Sequence, residues 1–228
     1  MPEVLRSKVD VLSRVELEKK LSEKLKAKSE TPYFIVTANA EMYYQAAQDA
    51  QLQEAINSAD LCLPDSVGIA WALKRQGEQK TEVYPGVELA QWLLQQADSV
   101  YVLGAREEIL QRLKQKNIVG KRAGFFKPTE ETQIITEINN LKPDVVLVAL
   151  GAGRQELWIA RNRGQLKTRI IIGIGGAIDV ISGAKRRAPS FWRKCRLEWL
   201  YRLIKEPWRF KRQLNLYRFW RLILKQTK

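Results

Sequence analysis

Chemistry in this chain must come from carboxylates, hydroxyls, amides or positive charges, because the sequence contains no histidine. That absence excludes a Ser-His-Asp triad, a Cys-His dyad and any metal site with histidine ligands. The two cysteines, Cys62 and Cys195, form no C-x-x-C motif, which is typical of a chain kept in a reducing compartment. Without histidine, a single aspartate is a reasonable general base.

Glycines and short polar side chains follow the predicted strands. Such residues let a backbone approach a phosphate or a sugar closely. In open α/β sheets, ligands bind beyond the carboxyl ends of the strands. The candidate ligand-binding positions, in chain order, are Thr37, Asn39, Asp65, Gly104, Gly151, Gln155, Glu156 and Gly175.

Asp65 is the carboxylate with the most informative position. It follows Pro64 where a predicted strand ends, and it precedes a predicted helix. Aspartate is a good helix N-cap, so capping of that next helix and general-base catalysis are both open. Thr37 and Asn39 are open in the same way: they are either turn formers or hydrogen-bond donors that orient a substrate.

Known cofactor motifs are absent. A G-x-G-x-x-G motif would need glycine at positions now held by Glu156 or Ile178, and no Walker pattern occurs. There is no D-x-D pair, and acidic residues show no spacing suited to a hard cation. We therefore expect no cofactor and no metal. Backbone N–H groups and arginines would then have to stabilise the charge of a diphosphate leaving group.

Short apolar segments rich in β-branched residues alternate with helical patterns through residues 1–184. Apolar residues on both faces, as at 145–150 and 170–174, are typical of buried parallel strands. The alternation predicts a doubly wound, Rossmann-like α/β fold with a mostly parallel sheet. The predicted strands are 33–37, 61–63, 100–103, 145–150 and 170–174, and the predicted helices are 15–28, 41–58, 67–75, 87–96, 107–116 and 130–141.

Positive charge is concentrated at the end of the chain. The 228 residues contain 39 Lys and Arg against 25 Asp and Glu, a net charge of +14. Residues 185–228 hold fifteen of the basic residues and two acidic ones, so they carry +13 of that charge. The distribution predicts a nearly neutral α/β domain at 1–184 and a basic α-helical C-terminal appendage at 185–228.

The appendage is predicted to form two helices separated at Pro207, the second of them amphipathic. Apolar residues recur on one face and basic residues on another: Phe210, Leu214, Tyr217 and Leu224 against Lys211, Arg218 and Lys225. Three interpretations are open: a helix packed on its own domain, a nucleic-acid-binding helix, or a helix on an anionic membrane surface. An exposed apolar stripe also favours self-association when no membrane is present.

Hydropathy predicts neither a membrane span nor a signal peptide. The longest apolar segments, 145–150 and 170–178, are far shorter than the roughly 18 residues that a transmembrane helix needs. The first residues include Glu3, Arg6, Lys8 and Asp10 and contain no apolar region of the signal-peptide type. We therefore expect a cytoplasmic protein.

Seven motifs occur in an order that resembles one family. They are Thr37-Ala-Asn39-Ala-Glu41, Leu63-Pro64-Asp65, Pro85-Gly86-Val87-Glu88-Leu89, Gly151-x-Gly153-x-Gln155-Glu156-x-Trp158, Gly173-x-Gly175-Gly176-x-x-Asp179, Gly183-x-x-x-Arg187-Ala188-Pro189 and Leu197-Glu198-Trp199-x-x-Arg202-Leu203-x-x-Glu206-Pro207-x-Arg209. From about residue 4 to residue 213, the chain resembles the WecG/TagA/CpsF family of bacterial glycosyltransferases.

The resemblance implies an activity. Family members transfer a sugar, typically of the N-acetylmannosamine type, from a UDP-sugar to undecaprenyl-diphosphate-linked GlcNAc. The transfer inverts the anomeric carbon and is independent of metal. It takes place at the inner face of the cell membrane, in teichoic-acid or cell-surface polysaccharide synthesis. Residues 1–184 would then be the sugar-nucleotide-binding catalytic domain, and residues 185–228 a peripheral membrane-binding appendage.

The resemblance also implies roles for single residues. Asp65 would be the catalytic base, and Thr37 would help to position donor or acceptor. Asn39 and Gln155 would line the sugar-nucleotide pocket. Three arginines of the appendage would reach the diphosphates: Arg202, Arg209 and Arg212.

Three departures and two alternatives accompany the resemblance. Residues 81–86 lack the arginine that the family commonly carries before its Pro-Gly turn, Ser66 follows Asp65 where glycine is usual, and Arg154 follows Gly153 in place of the frequent Pro-Lys. Diphosphate contacts or donor identity are therefore expected to differ. A nucleic-acid-binding α/β protein that uses the basic, aromatic appendage is the alternative of a different class. A nucleotide-binding subunit without catalysis is the third interpretation.

Overall fold

A six-stranded parallel sheet forms the centre of the molecule in a computed structural model, which describes residues 2–27, 29–189, 191–192, 198–205 and 210–226. The strand order is β4-β3-β8-β7-β5-β6, and every neighbouring pair is parallel. This confirms the predicted doubly wound α/β fold. The strands are β3 (Tyr33–Ala38), β4 (Leu61–Pro64), β5 (Val100–Gly104), β6 (Ile118–Arg122), β7 (Val145–Ala149) and β8 (Ile170–Gly173), preceded by a small antiparallel pair, β1 (Glu3–Val4) and β2 (Ser7–Lys8).

Helices cover both faces of the sheet. One face is packed by α2 (Ala40–Ala46), α3 (Ala50–Asn57), α4 (Val67–Arg75), α7 (Glu131–Leu141) and α8 (Arg154–Asn162). The other is packed by α1 (Arg14–Lys26), α5 (Gly86–Gln96), α6 (Glu107–Leu110) and α9 (Ala177–Ile181). Short 3-10 turns occur at Pro128–Glu130 and Arg163–Gln165.

Strand β7 shows why the sheet needs two helical layers. Its side chains alternate in direction, so Val146 and Val148 enter one core while Val145 and Leu147 enter the other. All four are fully buried. A strand that is apolar on both faces gains stability only when both faces are covered.

The structure differs from the predicted elements in several places, and α9, β1 and β2 are further elements that were not predicted. The single helix predicted at 41–58 is two helices, because Asp49 caps α3 by accepting hydrogen bonds from the backbone N–H groups of Gln51 and Leu52. The helix predicted at 107–116 ends at Leu110. Strand β6 was not predicted, because it lies at the sheet edge and its sequence, Ile-Val-Gly-Lys-Arg, includes two charged residues.

Two helices of the appendage have described bounds, α10 (Glu198–Lys205) and α11 (Phe210–Gln226). Helix α11 packs against α2 and α4, and Phe219 and Ile223 are buried in the same core as α2. The indole ring of Trp220 stacks on that of Trp71 in α4, with 4.8 Å between the centroids. One face of α11 is therefore packed on its own domain, which was one of the three interpretations of the appendage.

The other face of α11 is exposed. Leu214, Tyr217 and Leu224, three of the four apolar residues predicted to form a stripe, lie on this face. The residues that pack inward, Phe219 and Ile223, were not part of that predicted stripe. None of the helices in the described ranges is both long and apolar enough to cross a membrane.

Phe219 should contribute strongly to folding. We expect Phe219→Ala to lower the free energy of unfolding by about 3 kcal/mol or more, since it removes a fully buried aromatic ring. Tyr217→Ala is the matched control on the same helix, because Tyr217 is 63% exposed and its loss should change the stability by about 0.5 kcal/mol or less. Urea denaturation measures both. Equal stabilities for the two variants would show that α11 does not pack on the sheet domain.

Candidate active site

The turns after β3 and β8 meet at the carboxyl edge of the sheet, where a parallel α/β fold binds its ligands. Thr37, near the end of β3, donates a hydrogen bond from its hydroxyl to the carbonyl of Gly173 at the end of β8, over 3.1 Å. The side chain is almost fully buried. Thr37 therefore joins two neighbouring strand ends and holds its hydroxyl at the base of the site.

Asp65 is held by a helix that lies much later in the chain. Its Oδ1 accepts a hydrogen bond from the backbone N–H of Gly86, the first residue of α5, over 2.5 Å. The N-cap of α4 is Ser66, and the interpretation of Asp65 as the cap of that helix was wrong. The positive end of the α5 dipole favours a carboxylate at this position.

Thr37, Asp65 and Gly86 form one cluster. A Cβ atom placed on Gly86 would lie 3.6 Å from the Thr37 hydroxyl oxygen and 3.7 Å from Asp65 Oδ1. The backbone N–H of Asp65 also donates to the carbonyl of Ala38, over 2.8 Å. The two predicted catalytic side chains therefore both lie next to Gly86, and the N–H of Gly86 at the start of α5 fixes the carboxylate of Asp65.

A close backbone contact occurs where strand connections leave in opposite directions. After β5 the chain moves outward to β6, and after β7 it moves the other way to β8. Gly104, at the end of β5, has φ of +128°, and a Cβ there would overlap the Ala149 carbonyl. The next residue, Ala105, has φ of +62° and donates its N–H to that carbonyl over 3.0 Å. Only glycine fits at position 104, so this predicted binding residue allows the backbones of β5 and β7 to approach closely at this edge.

Two buried side chains connect the glycine turns after β7 and β8. Glu156 Oε2 accepts from the Gly153 N–H over 2.7 Å, and Glu156 Oε1 accepts from Gln155 Nε2 over 2.8 Å. Gln155 Oε1 in turn accepts from the Gly175 N–H over 3.0 Å. Gln155 is 4% exposed and Glu156 is fully buried. Their polar atoms bind the turn backbone and each other.

Some backbone N–H groups of these turns remain for a ligand. Gly151, Gly153 and Gly175 have positive φ values, which let each turn reverse tightly after its strand. The N–H groups of Gly151, Ala152 and Gly176 donate to no other residue that the structure describes. Clustered N–H donors at a strand-to-helix turn favour an anion such as a phosphate.

Burial governs the protonation of Glu156. Removal from water raises the pKa of its carboxyl to about 7, although three hydrogen bonds favour the charged form. Tyr43 of α2 and Cys62 of β4 face it, and burial raises their pKa values further above neutrality, that of Cys62 to about 12. Glu156 is therefore the member of this group that titrates near neutral pH.

The remaining predicted residues lie in different settings. Asn39 caps α2, because its Oδ1 accepts from the Met42 N–H over 3.0 Å, so Nδ2 is the atom of this side chain that could reach a ligand. Arg202 and Arg212 are helical positions of α10 and α11 whose side chains lie outside the description, and Arg209 lies outside the described residues.

Two features of the site were not predicted from sequence. The N–H of Gly86 that holds Asp65 is one. The other is Glu88, which accepts from Arg187 over 2.7 Å and pairs with Arg14 over 3.3 Å. Burial opposes the charge of Glu88, but these two guanidinium groups hold its pKa below the ordinary value. The motifs that contain Glu88 and Arg187 were both recognised in the sequence, yet no local pattern indicated that these two residues pair.

Within the described ranges, no group of three or more Cys, Asp or Glu side chains could hold a metal ion.

The fold is that of an open parallel α/β sheet, whose ligands bind at the carboxyl ends of the strands, and the glycine turns at this edge are suited to an anionic group. Residues 2–228 match the model of the glycosyl transferase WecG/TagA/CpsF family. The chain therefore belongs to this family and is a glycosyltransferase.

A curated relative has a more specific name. The chain is 34% identical over 207 residues to the N-acetylglucosaminyldiphosphoundecaprenol N-acetyl-beta-D-mannosaminyltransferase of Bacillus spizizenii. The match covers 86% of this chain and 80% of the relative. Membership of an enzyme family supports the catalytic interpretation over both alternatives, the nucleic-acid-binding protein and the subunit without catalysis.

The raised pKa of Glu156 predicts a pH-dependent stability. Between the ordinary pKa of 4.5 and about 7, the folded state binds more protons at this site than the unfolded state does, so the free energy of unfolding falls as pH rises. Over this range the free energy of unfolding of wild type should fall by roughly 3 kcal/mol more than that of Glu156→Gln, in which this titration is absent. Urea denaturation at about pH 5 and about pH 8 measures the difference.

The control for this measurement is Glu16→Gln. Like Glu156, Glu16 accepts a hydrogen bond from the backbone N–H of the residue three positions before it, but it is exposed, and hydrogen bonds from Ser13 lower its pKa. The difference in free energy of unfolding between wild type and Glu16→Gln should be nearly the same at the two pH values, because both proteins keep Glu156. A wild-type curve parallel to that of Glu156→Gln would contradict the raised pKa.

Proposed function

We propose that this chain transfers N-acetylmannosamine from a UDP-sugar to an undecaprenyl-diphosphate-linked GlcNAc, with inversion and without a metal ion. The name of the Bacillus relative supports the sugar and the acceptor. The observation that carries the proposal is the hydrogen bond from Gly86 to Asp65, which fixes a carboxylate next to Thr37 at the carboxyl edge.

Asp65 would act as the general base. Its carboxylate, which Gly86 holds in place, takes the proton of the acceptor hydroxyl as the hydroxyl oxygen attacks the anomeric carbon of the donor. The bond from that carbon to the UDP oxygen breaks on the opposite side, so the configuration inverts and UDP leaves. Thr37 lies close enough to this carboxylate to position one of the two sugars.

The leaving diphosphate needs positive charge or hydrogen-bond donors. The N–H groups of Gly151, Ala152 and Gly176 are suited to it, because they sit at the glycine turns of the same edge. Arg202, Arg209 and Arg212 are the side chains proposed to complete this charge stabilisation when the acceptor arrives. Their planar guanidinium groups match phosphate oxygens in pairs.

The activity can be tested directly. A synthetic lipid-linked GlcNAc acceptor is incubated with a panel of UDP-sugars, and the products are separated by thin-layer chromatography. We expect a disaccharide product with the UDP-sugar of N-acetylmannosamine. If no member of the panel is transferred while the folded chain binds UDP, the proposed reaction is wrong.

Asp65→Asn tests the base without removing the contact that holds it. The amide oxygen can still accept from Gly86, so the variant should fold, but it cannot take a proton. We expect turnover to fall by roughly 10²-fold or more. Asp60→Asn is the control, because Asp60 also accepts a backbone N–H, from Phe34 over 2.8 Å, at the opposite edge of the sheet. Turnover near wild type in folded Asp65→Asn would remove Asp65 from the mechanism.

The lipid-linked acceptor requires contact with a membrane, and we propose that α11 makes it. Its exposed face combines three apolar residues with three basic ones: Leu214, Tyr217 and Leu224 with Arg218, Arg221 and Lys225. At 100° per residue, this face lies opposite the buried Phe219 and Ile223. Apolar side chains beside basic ones suit the surface of an anionic bilayer, which would make the protein peripheral on the inner face of the cell membrane.

Removing the three charges should weaken this contact. At about 1 kcal/mol for each basic residue near an anionic surface, changing Arg218, Arg221 and Lys225 to Gln should lower vesicle partitioning by roughly a hundredfold. Co-sedimentation with anionic vesicles measures it, and raised salt should weaken wild-type binding in the same direction. The control changes three exposed basic residues that are far from α11 in the sequence: Arg112, Lys114 and Lys116. Equal partitioning of the two triple variants would rule out this face of α11 as the membrane-binding surface.

A further inference from the structure

We propose that Glu156 is a positioning residue for the sugar-nucleotide donor: its buried carboxylate holds the turn after β7 and, through Gln155, the turn after β8. The inference rests on the proposed function, because it assigns these turns to the donor. It goes beyond that function in naming a residue that acts on the donor through other groups.

The hydrogen bonds of Glu156 reach both turns. One carboxylate oxygen accepts from the N–H of Gly153 and the other from Gln155, whose amide oxygen accepts from the N–H of Gly175. Each acceptor is matched to one donor, so the amide of Gln155 has a single orientation that satisfies the chain of contacts. A single carboxyl group therefore fixes the backbone of two turns that are 22 residues apart, counted from Gly153 to Gly175.

The same carboxylate lies against the strand end that holds Thr37. A Cβ atom at Gly173 would lie 2.8 Å from Glu156 Oε1 and 2.6 Å from Gln155 Nε2, so both side chains rest directly on the Gly173 backbone. The carbonyl of Gly173 accepts the hydroxyl of Thr37 over 3.1 Å. Movement of Glu156 would thus displace the two glycine turns and the Thr37 hydroxyl together.

The cost of this arrangement points to a function. Glu156 is fully buried, and no lysine or arginine among the described side chains forms an ion pair with it. An ionised carboxylate buried without a cation opposes folding, and a neutral side chain could join two turns at lower cost. A carboxylate, however, presents two acceptors and no donor, which keeps Gln155 in the orientation that serves Gly175.

Glu156→Gln separates positioning from packing. The new side chain has nearly the same shape, but its NH₂ group must face one of two donors, the NH₂ group of Gln155 or the N–H of Gly153. In the first case Gln155 turns its amide over and the Gly175 N–H loses its acceptor. In the second case the Gly153 N–H loses its acceptor, so a glycine turn is released either way. We expect the KM for the UDP-sugar and the Kd for UDP, measured by calorimetry, to rise about tenfold or more. The KM for the lipid-linked acceptor should rise much less, because the contact that holds Asp65 is intact.

The controls distinguish a structural role. Circular dichroism verifies folding, and Glu16→Gln, the same substitution in an exposed capping box, should leave the KM and Kd values at wild type. If Glu156→Gln does not fold, Glu156→Asp replaces it, since a shorter carboxylate keeps the charge but cannot reach both donors. The same donor-specific rise is then expected.

Two results would overturn the assignment. One is an unchanged donor KM and UDP affinity in a folded variant. The other is an equal rise of the donor KM, the UDP Kd and the acceptor KM, which is what a smaller folded fraction produces when each ligand binds only the folded state. Failure of the proposed function is separate, because UDP affinity tests Glu156 even when wild type transfers no sugar to the lipid-linked acceptor.

Discussion

The parallel direction of all six strands is the constraint on which the site depends. Every strand ends at the same edge, so Thr37, Asp65 and the glycine turns, which are far apart in sequence, come together there. The strands must also approach closely at that edge, and the contact of Gly104 with the Ala149 carbonyl leaves no room for a side chain. Glycine at this position is therefore a requirement of sheet geometry before it is a requirement of ligand binding.

The sequence predicted the elements whose pattern is local. Strands such as β7 were recognised because apolar residues on both faces have no other stable setting than a covered sheet. Strand β6 was missed, since an edge strand tolerates Lys121 and Arg122 and so lacks that pattern. The break between α2 and α3 was missed because apolar periodicity continues through it, although Asp49 carried the capping signal.

The candidate site was predicted as a set of residues but not as a set of contacts. Local rules offered the next helix as the partner of Asp65, whereas the structure places it at α5, 21 residues away at Gly86. Nothing in the residues between them indicates that α4 is passed over. Gln155 and Glu156 show the same limit, because their burial depends on Gly173, which belongs to another strand. Side-chain chemistry is local information, but the choice of partner is set by the crossover connections of the sheet.

Helix α11 shows how one segment can meet two demands. Burial of Phe219 and Ile223 fixes its rotation, so the face with Tyr217, Arg218 and Arg221 must point away from the domain. Its position along the domain is fixed too, because Leu216 lies 3.6 Å from where a Cβ of Gly68 would be, in the first turn of the helix that follows Asp65. A surface that binds the exposed face of α11 would therefore lie at a fixed distance from the carboxylate of Asp65. Packing of α11 on the core is therefore compatible with the proposed membrane contact, and it would determine how far from the bilayer the carboxylate proposed as the base lies.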